Sequence, residues 1–87
     1  MEPLEEIKKN IDSGKLLIGQ NETLRNLKIG RVEKVFLASN SDSDVKKEVG
    51  YYCELSKTPL TILEIPNDEL GIVCKKQFSI SVLCLLK

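Results

Sequence analysis

Leu4, Ile7 and Ile11 recur at helical spacing behind Pro3, and Ser13-Gly14 stops the run, so residues 3 to 13 are predicted to form an amphipathic helix with a charged outer face. The period then shortens. Lys15-Leu16-Leu17-Ile18 reads as a brief strand and Gly19 as the turn after it. Asn21 reads as the side-chain cap of a second short helix, whose inward residues are Leu24 and Leu27. Gly30 stands where a left-handed helix end is wanted. Val35-Phe36-Leu37-Ala38 is a near-continuous apolar run, the pattern of a strand covered on both faces, and Ser39 to Asp44 supplies the polar turn and cap that follow. Val45, Val49, Tyr52 and Cys53 form the inward stripe of a third helix, with Tyr51 and Tyr52 read as packing residues. Gly50 interrupts that helix at a cost of about 1 kcal/mol relative to alanine. After Ser56-Lys57-Thr58-Pro59, residues 60 to 65 read as a third strand, with Asn67 or Asp68 capping a fourth helix over Glu69 to Cys74. Residues 75 to 79 read as a loop and Ile80 to Leu86 as the last strand.

Helices alternating with short buried strands predict an α/β fold, a three-layer α/β/α sandwich with a central sheet of about four strands. Eighty-seven residues make one domain, 1–87. Ligands of such sheets gather at loops beyond the strand ends, which singles out the turns after the first and second strands and the loop before the last.

Thirteen basic and thirteen acidic residues cancel, so no whole-molecule field attracts nucleic acid, and any such contact must come from a local arrangement. Arg25, Lys28 and Arg31 gather after the first turn, Lys75-Lys76 precede Phe78, and acids collect at Glu2, Glu5, Glu6 and Asp12. There is no histidine, which removes the commonest general base, and Cys53, Cys74 and Cys84 are widely spaced without a metal-ligand pattern. The expectation is a protein that is not an enzyme, holds no metal or cofactor, and keeps its thiols reduced and buried. The longest apolar stretch, Val82 to Leu86, is too short to cross a bilayer, and the acidic start is not a secretory signal. A cytoplasmic location without membrane attachment is expected.

Gly19-Gln20-Asn21-Glu22-Thr23-Leu24-Arg25 carries neither the glycine pattern of a dinucleotide site nor the Gly-Lys-Ser/Thr of a phosphate loop. It offers free N–H groups at a helix start, an amide at Asn21 that both donates and accepts, and a carboxylate at Glu22 that accepts from a base edge. Arg25, one turn on, can fork to guanine. Asn40 and the segment Gln77-Phe78-Ser79-Ile80 can reach the same end of the fold, where Phe78 offers a stacking face to an unpaired base. Lys28, Lys75 and Lys76 can add phosphate contacts, and Thr23 a turn hydroxyl. Each residue has a plainer alternative: Asn21 a helix cap, Glu22 a first-turn acid favoured by the dipole, Arg25 a solvated side chain, Asn40 a loop residue bonding its own backbone, Phe78 and Ile80 core anchors of the last strand.

Taken in order, Gly14-Lys15, Gly19 with Thr23-Leu24, Gly30, Val35 to Asn40, Tyr51-Tyr52, Leu55-Ser56, Pro59, Glu69-Leu70-Gly71 and Phe78 to Leu83 resemble the archaeal and eukaryotic large-subunit ribosomal protein thirty over nearly the whole chain. The Gly19-x-Asn21-Glu22-x-x-Arg25 turn is more similar to a sister branch, the kink-turn-binding ribosomal protein that also serves box C/D guide-RNA particles, where lysine usually stands at position 25. The resemblance implies an α/β/α sandwich that binds kink-turn RNA. It implies that Gly19, Gln20, Asn21, Glu22 and Arg25 meet the sheared G·A pairs, that Asn40 lines the same surface, and that Phe78, Ser79 and Ile80 pack against the extruded nucleotide. The chain departs at Lys75, where relatives commonly have glycine. The expected function is that of a non-catalytic structural component of the large ribosomal subunit, monomeric when free. Its partners would be ribosomal RNA or another kink-turn RNA, together with ribosomal or ribonucleoprotein components. A guide-RNA ribonucleoprotein component, or a protein-interaction module of this fold that does not bind RNA, are the alternatives.

Overall fold

Four helices and four strands alternate along residues 2–87, the part of the chain described by the structure, a computed structural model. In order they are α1 (Pro3–Asn10), β1 (Leu16–Ile18), α2 (Gln20–Lys28), β2 (Val32–Leu37), α3 (Ser43–Ser56), β3 (Leu60–Ile62), α4 (Asn67–Val73) and β4 (Val82–Leu86). The sheet order is β1-β4-β2-β3: β4 runs antiparallel to both β1 and β2, and β3 parallel to β2.

The pleat sorts the apolar residues of the two central strands into two cores, one on each face. Phe36, Leu83 and Leu85 pack with Ile7 of α1 and Leu70 of α4. Val35, Leu37, Val82 and Cys84 pack with Leu27 of α2 and with Val49 and Cys53 of α3. This is the expected α/β/α sandwich. It explains why residues 35–38 and β4 read as near-continuous apolar runs: both faces of the sheet are covered there, and each fully buried large side chain contributes about 1.5–3 kcal/mol. All three cysteines are free and buried, as the sequence predicts.

The element boundaries depart from the sequence reading in places. α1 stops at Asn10, whose side-chain amide donates to the Glu6 carbonyl, while the Ser13 hydroxyl donates back to the Asn10 carbonyl; both compete with further helix. β2 begins three residues early because Val32 pairs with Leu86, across an irregularity at Val32/Lys34 that hides the strand period. β3 ends at Ile62; the Leu63 N–H still donates to the Leu37 carbonyl, and the chain then turns Leu63 and Ile65 onto the α1/α4 core. α4 begins at Asn67 without a side-chain cap from its own flank, and β4 begins at Val82. Tyr51, expected to pack, is 58% exposed and forms a T-shaped pair with Tyr52, the ring centroids 5.2 Å apart. It lies one residue off the stripe formed by Val49, Tyr52 and Cys53, which turns it about 100° away from the core.

Candidate nucleic-acid interface

β1 delivers the chain to Gly19, whose backbone stands at φ +111°, ψ 152°, a conformation that glycine alone adopts without strain. The Gly19 N–H donates to the Val82 carbonyl (2.9 Å), and its own carbonyl accepts from the Thr23 N–H (3.1 Å), which starts α2. The helix therefore begins two residues before an Asn21 cap would allow. Asn21 makes no cap hydrogen bond; it stands exposed in the first turn with its amide free for another partner. Glu22 and Arg25 form an ion pair at 3.3 Å, with Arg25 exposed and Glu22 half-buried. Gln20 donates through Nε2 to Glu48 Oε1 of α3 (2.9 Å).

The opposite wall is the loop between α4 and β4. Lys75 takes φ +60°, the left-handed conformation suited to the glycine that the resemblance leads one to expect there. Phe78 is 58% exposed, whereas Ile80 is 2% exposed and belongs to the α1/α4 core, where it anchors the loop's end. Between the α2 start and this loop lies an open cleft of about 620 Å³, bounded by Gly19 and Gln20 on one side and by Lys76, Phe78 and Ser79 on the other. Ile80 contributes to its inner wall only.

The structure thus brings together Gly19, Gln20, Lys76, Phe78 and Ser79, with Asn21, Glu22 and Arg25 continuing along the α2 turn from the same wall. Four candidates lie elsewhere. Thr23 is fully buried, because with Asn26 and Leu27 it occupies the inward face of α2; its hydroxyl has no hydrogen-bond partner of good geometry and lies against the Cys84 thiol. Lys28 sits at the far end of α2 with Nζ 5.1 Å from the Tyr52 ring centroid, a cation–π contact. Lys75 borders a separate depression with Lys8 and Asp12. Asn40 is exposed, yet its Oδ1 accepts from the Asn67 N–H (2.9 Å) and its Nδ2 donates to Asn67 Oδ1 (3.2 Å), so it caps α4 from a distance instead of facing the cleft. Two residues that sequence reasoning passed over also belong here. Val45 lines the cleft and Glu48 holds Gln20, but in sequence both are ordinary positions of the α3 helical pattern.

The thiols offer no nucleophile. Burial pushes the Cys53 thiol up to about 11, with Cys84 adding to the effect. Burial likewise raises Cys74 and Cys84. All three are therefore protonated at neutral pH, and a protonated thiol is a poor nucleophile. Among the described residues no group of histidine, cysteine, aspartate or glutamate could hold a metal ion, and no helix is long and apolar enough to cross a membrane.

A three-layer sandwich whose open end pairs a helix start with an aromatic loop defines a small α/β/α binding domain. The chain belongs to the ribosomal protein L7Ae/L30e/S12e/Gadd45 family, whose model matches residues 1–87. It is 35% identical over 77 residues to large ribosomal subunit protein eL30 of Methanococcus vannielii, covering 88% of this chain and 73% of that protein. Against eL30 of Candida albicans it is 38% identical over 76 residues, covering 87% and 72%. Among solved structures it is similar to the Giardia lamblia 15.5kD RNA binding protein, with a TM-score of 0.85 and 23% identity over 97% of this chain and 70% of that one. A protein of unknown function from Bacillus halodurans superposes with a TM-score of 0.88 at 20% identity, covering 97% and 83%. At these identities the two structures show the fold alone.

Proposed function

We propose that this protein is a non-catalytic RNA-binding component of the large ribosomal subunit, acting in the cytoplasm, and that its cleft recognises a kink-turn or related internal loop. The observation that carries the reading is Phe78, a large aromatic left 58% exposed across the cleft from the first turn of α2. Stacking an unpaired base on such a ring contributes about 1–3 kcal/mol. A sharply bent RNA also exposes purine edges that an ordinary A-form groove hides, and these suit the free Asn21 amide and the Glu22 carboxylate. The partly exposed Glu22–Arg25 pair is cheap to open, at less than about 1 kcal/mol, which frees both groups for RNA. The α2 N–H groups add a site for phosphate. The large-subunit proteins among the relatives support the ribosomal setting.

The test is a gel-shift titration, at fixed salt, against a kink-turn RNA and a variant with its sheared G·A pairs replaced. Clear preference for the intact kink is expected, and equal binding to both rejects the reading. Asn21→Ala is expected to cost about 1–3 kcal/mol on the kink-turn with its circular dichroism spectrum unchanged. Lys28→Ala, distant from the cleft, should leave the affinity close to that of the parent and serves as the control.

A further inference from the structure

The loop that presents Phe78 is closed onto α4 along its length. The Lys76 N–H donates to the Gly71 carbonyl (2.9 Å), and the Ile80 N–H donates to the Asn67 carbonyl (3.0 Å). Between these two bonds Gly71 itself stands against the loop. A methyl group built on its Cα would overlap the Phe78 carbonyl oxygen and lie 3.1 Å from the Phe78 carbonyl carbon and 3.4 Å from Ser79 Cα. These obstacles are backbone atoms, which cannot rotate aside as a side-chain tip can.

Gly71 lies inside α4 and is not among the positive-φ residues, so backbone freedom does not account for glycine at this position. Glycine in a helix costs stability relative to alanine. The contrast with Gly50, in the interior of α3, is direct: a methyl there meets only Leu60 Cδ2 at 4.0 Å, an ordinary contact. What distinguishes Gly71 is the close approach of the Phe78 carbonyl.

We propose that Gly71 is a positioning residue for RNA recognition: it sets how closely the Phe78 loop lies on α4, and hence where the Phe78 ring stands relative to the first turn of α2. The inference rests on the reading of the cleft as an RNA site. Gly71 is buried and has no side chain to offer a ligand, so it acts only through the loop. Asn40 belongs to the same device. By holding Asn67, whose carbonyl fixes the Ile80 N–H, it secures the loop's other end.

Three full-length variants test this: Gly71→Ala, Phe78→Ala and the double substitution. Without RNA, amide NMR shifts in Gly71→Ala should be largest at residues 76–80 while the sheet amides hold; shifts confined to α4, with 77–79 unmoved, would overturn the proposal. With kink-turn RNA, Gly71→Ala should weaken binding by about tenfold in the parent and by little in the Phe78→Ala background, because the two act through one element. Equal losses in both backgrounds would count against it just as firmly. Should Gly71→Ala fold poorly, the exposed Asn40→Ala takes its place; it should shift the Phe78 and Ile80 amides and couple to Phe78→Ala in the same manner, and simple additivity would refute it. If the parent does not distinguish the two RNAs, the proposed function falls, whereas the RNA-free spectra still decide whether Gly71 sets the loop.

Discussion

Asn21 and Thr23 lie two positions apart in one polar turn, yet the first is exposed and the second is 0% exposed. Only the register of α2 separates them, and that register follows from the φ +111° backbone of Gly19, which starts the helix two residues sooner than side-chain capping rules suggest. The sequence suggests Asn21, Glu22, Arg25 and Phe78 as binding groups, and the structure leaves Asn21, Arg25 and Phe78 exposed. The occupation of Asn40 by Asn67 was not legible in the sequence, because their 27-residue separation carries no local signal. At this scale Cys53 also makes a prediction about pH. Burial lifts its thiol from 9.0 to about 11, so the native state keeps a proton that the unfolded chain gives up. Its stabilisation is complete below pH 9 and disappears as pH rises toward about 11. Urea denaturation across this range should show stability falling by at most about 1.4 kcal/mol per pH unit from this thiol. Cys53→Ala should flatten the fall, and an unaltered slope would assign it to other groups.

Helices α2 and α3 show which glycines an element needs. Gly30, at φ +72°, follows the end of α2 with its N–H on the Leu27 carbonyl (3.2 Å) and the Arg31 N–H on the Asn26 carbonyl (3.0 Å), the paired bonds of a left-handed helix stop. Gly50 has no such duty. Gly50→Ala should therefore raise stability by about 1 kcal/mol, whereas Gly30→Ala should lower it by about 1–2 kcal/mol, both read from thermal or urea unfolding. If Gly50→Ala destabilises, the space beside Leu60 is smaller than the geometry indicates. The stripe of α3 and the stop of α2 were readable because both depend on near neighbours in sequence. Strand ends were harder. β2 reaches back to Val32 only because Leu86 lies opposite, and β3 stops at Ile62 because Leu63 and Ile65 are needed over the α1/α4 core.

For the whole molecule, charge and topology set the behaviour. With basic and acidic residues balanced, Lys76 lining the cleft and Arg25 on the adjoining turn of α2, the proposed RNA complex would neutralise few phosphates. A plot of log affinity against log salt should have a slope of only about −1 to −2, at roughly −0.7 per phosphate contact. A slope steeper than about −5 would mean that general attraction, and not shape, holds the RNA. Alternating periods disclosed the sandwich, but strand order depends on distant pairings that no local pattern encodes. That order places β4 between β1 and β2: β1 pairs with nothing else in the sheet, and without β4 the strand β2 keeps only its three-residue register with β3. Joining β1 to the rest of the sheet must therefore wait for β4, which follows the other elements in the chain. As the polypeptide emerges from a translating ribosome, β1 and β2 cannot be joined until residues 82–86 are free to slot between them. Closure of the full four-stranded sheet is therefore expected to lag until those five residues are delivered.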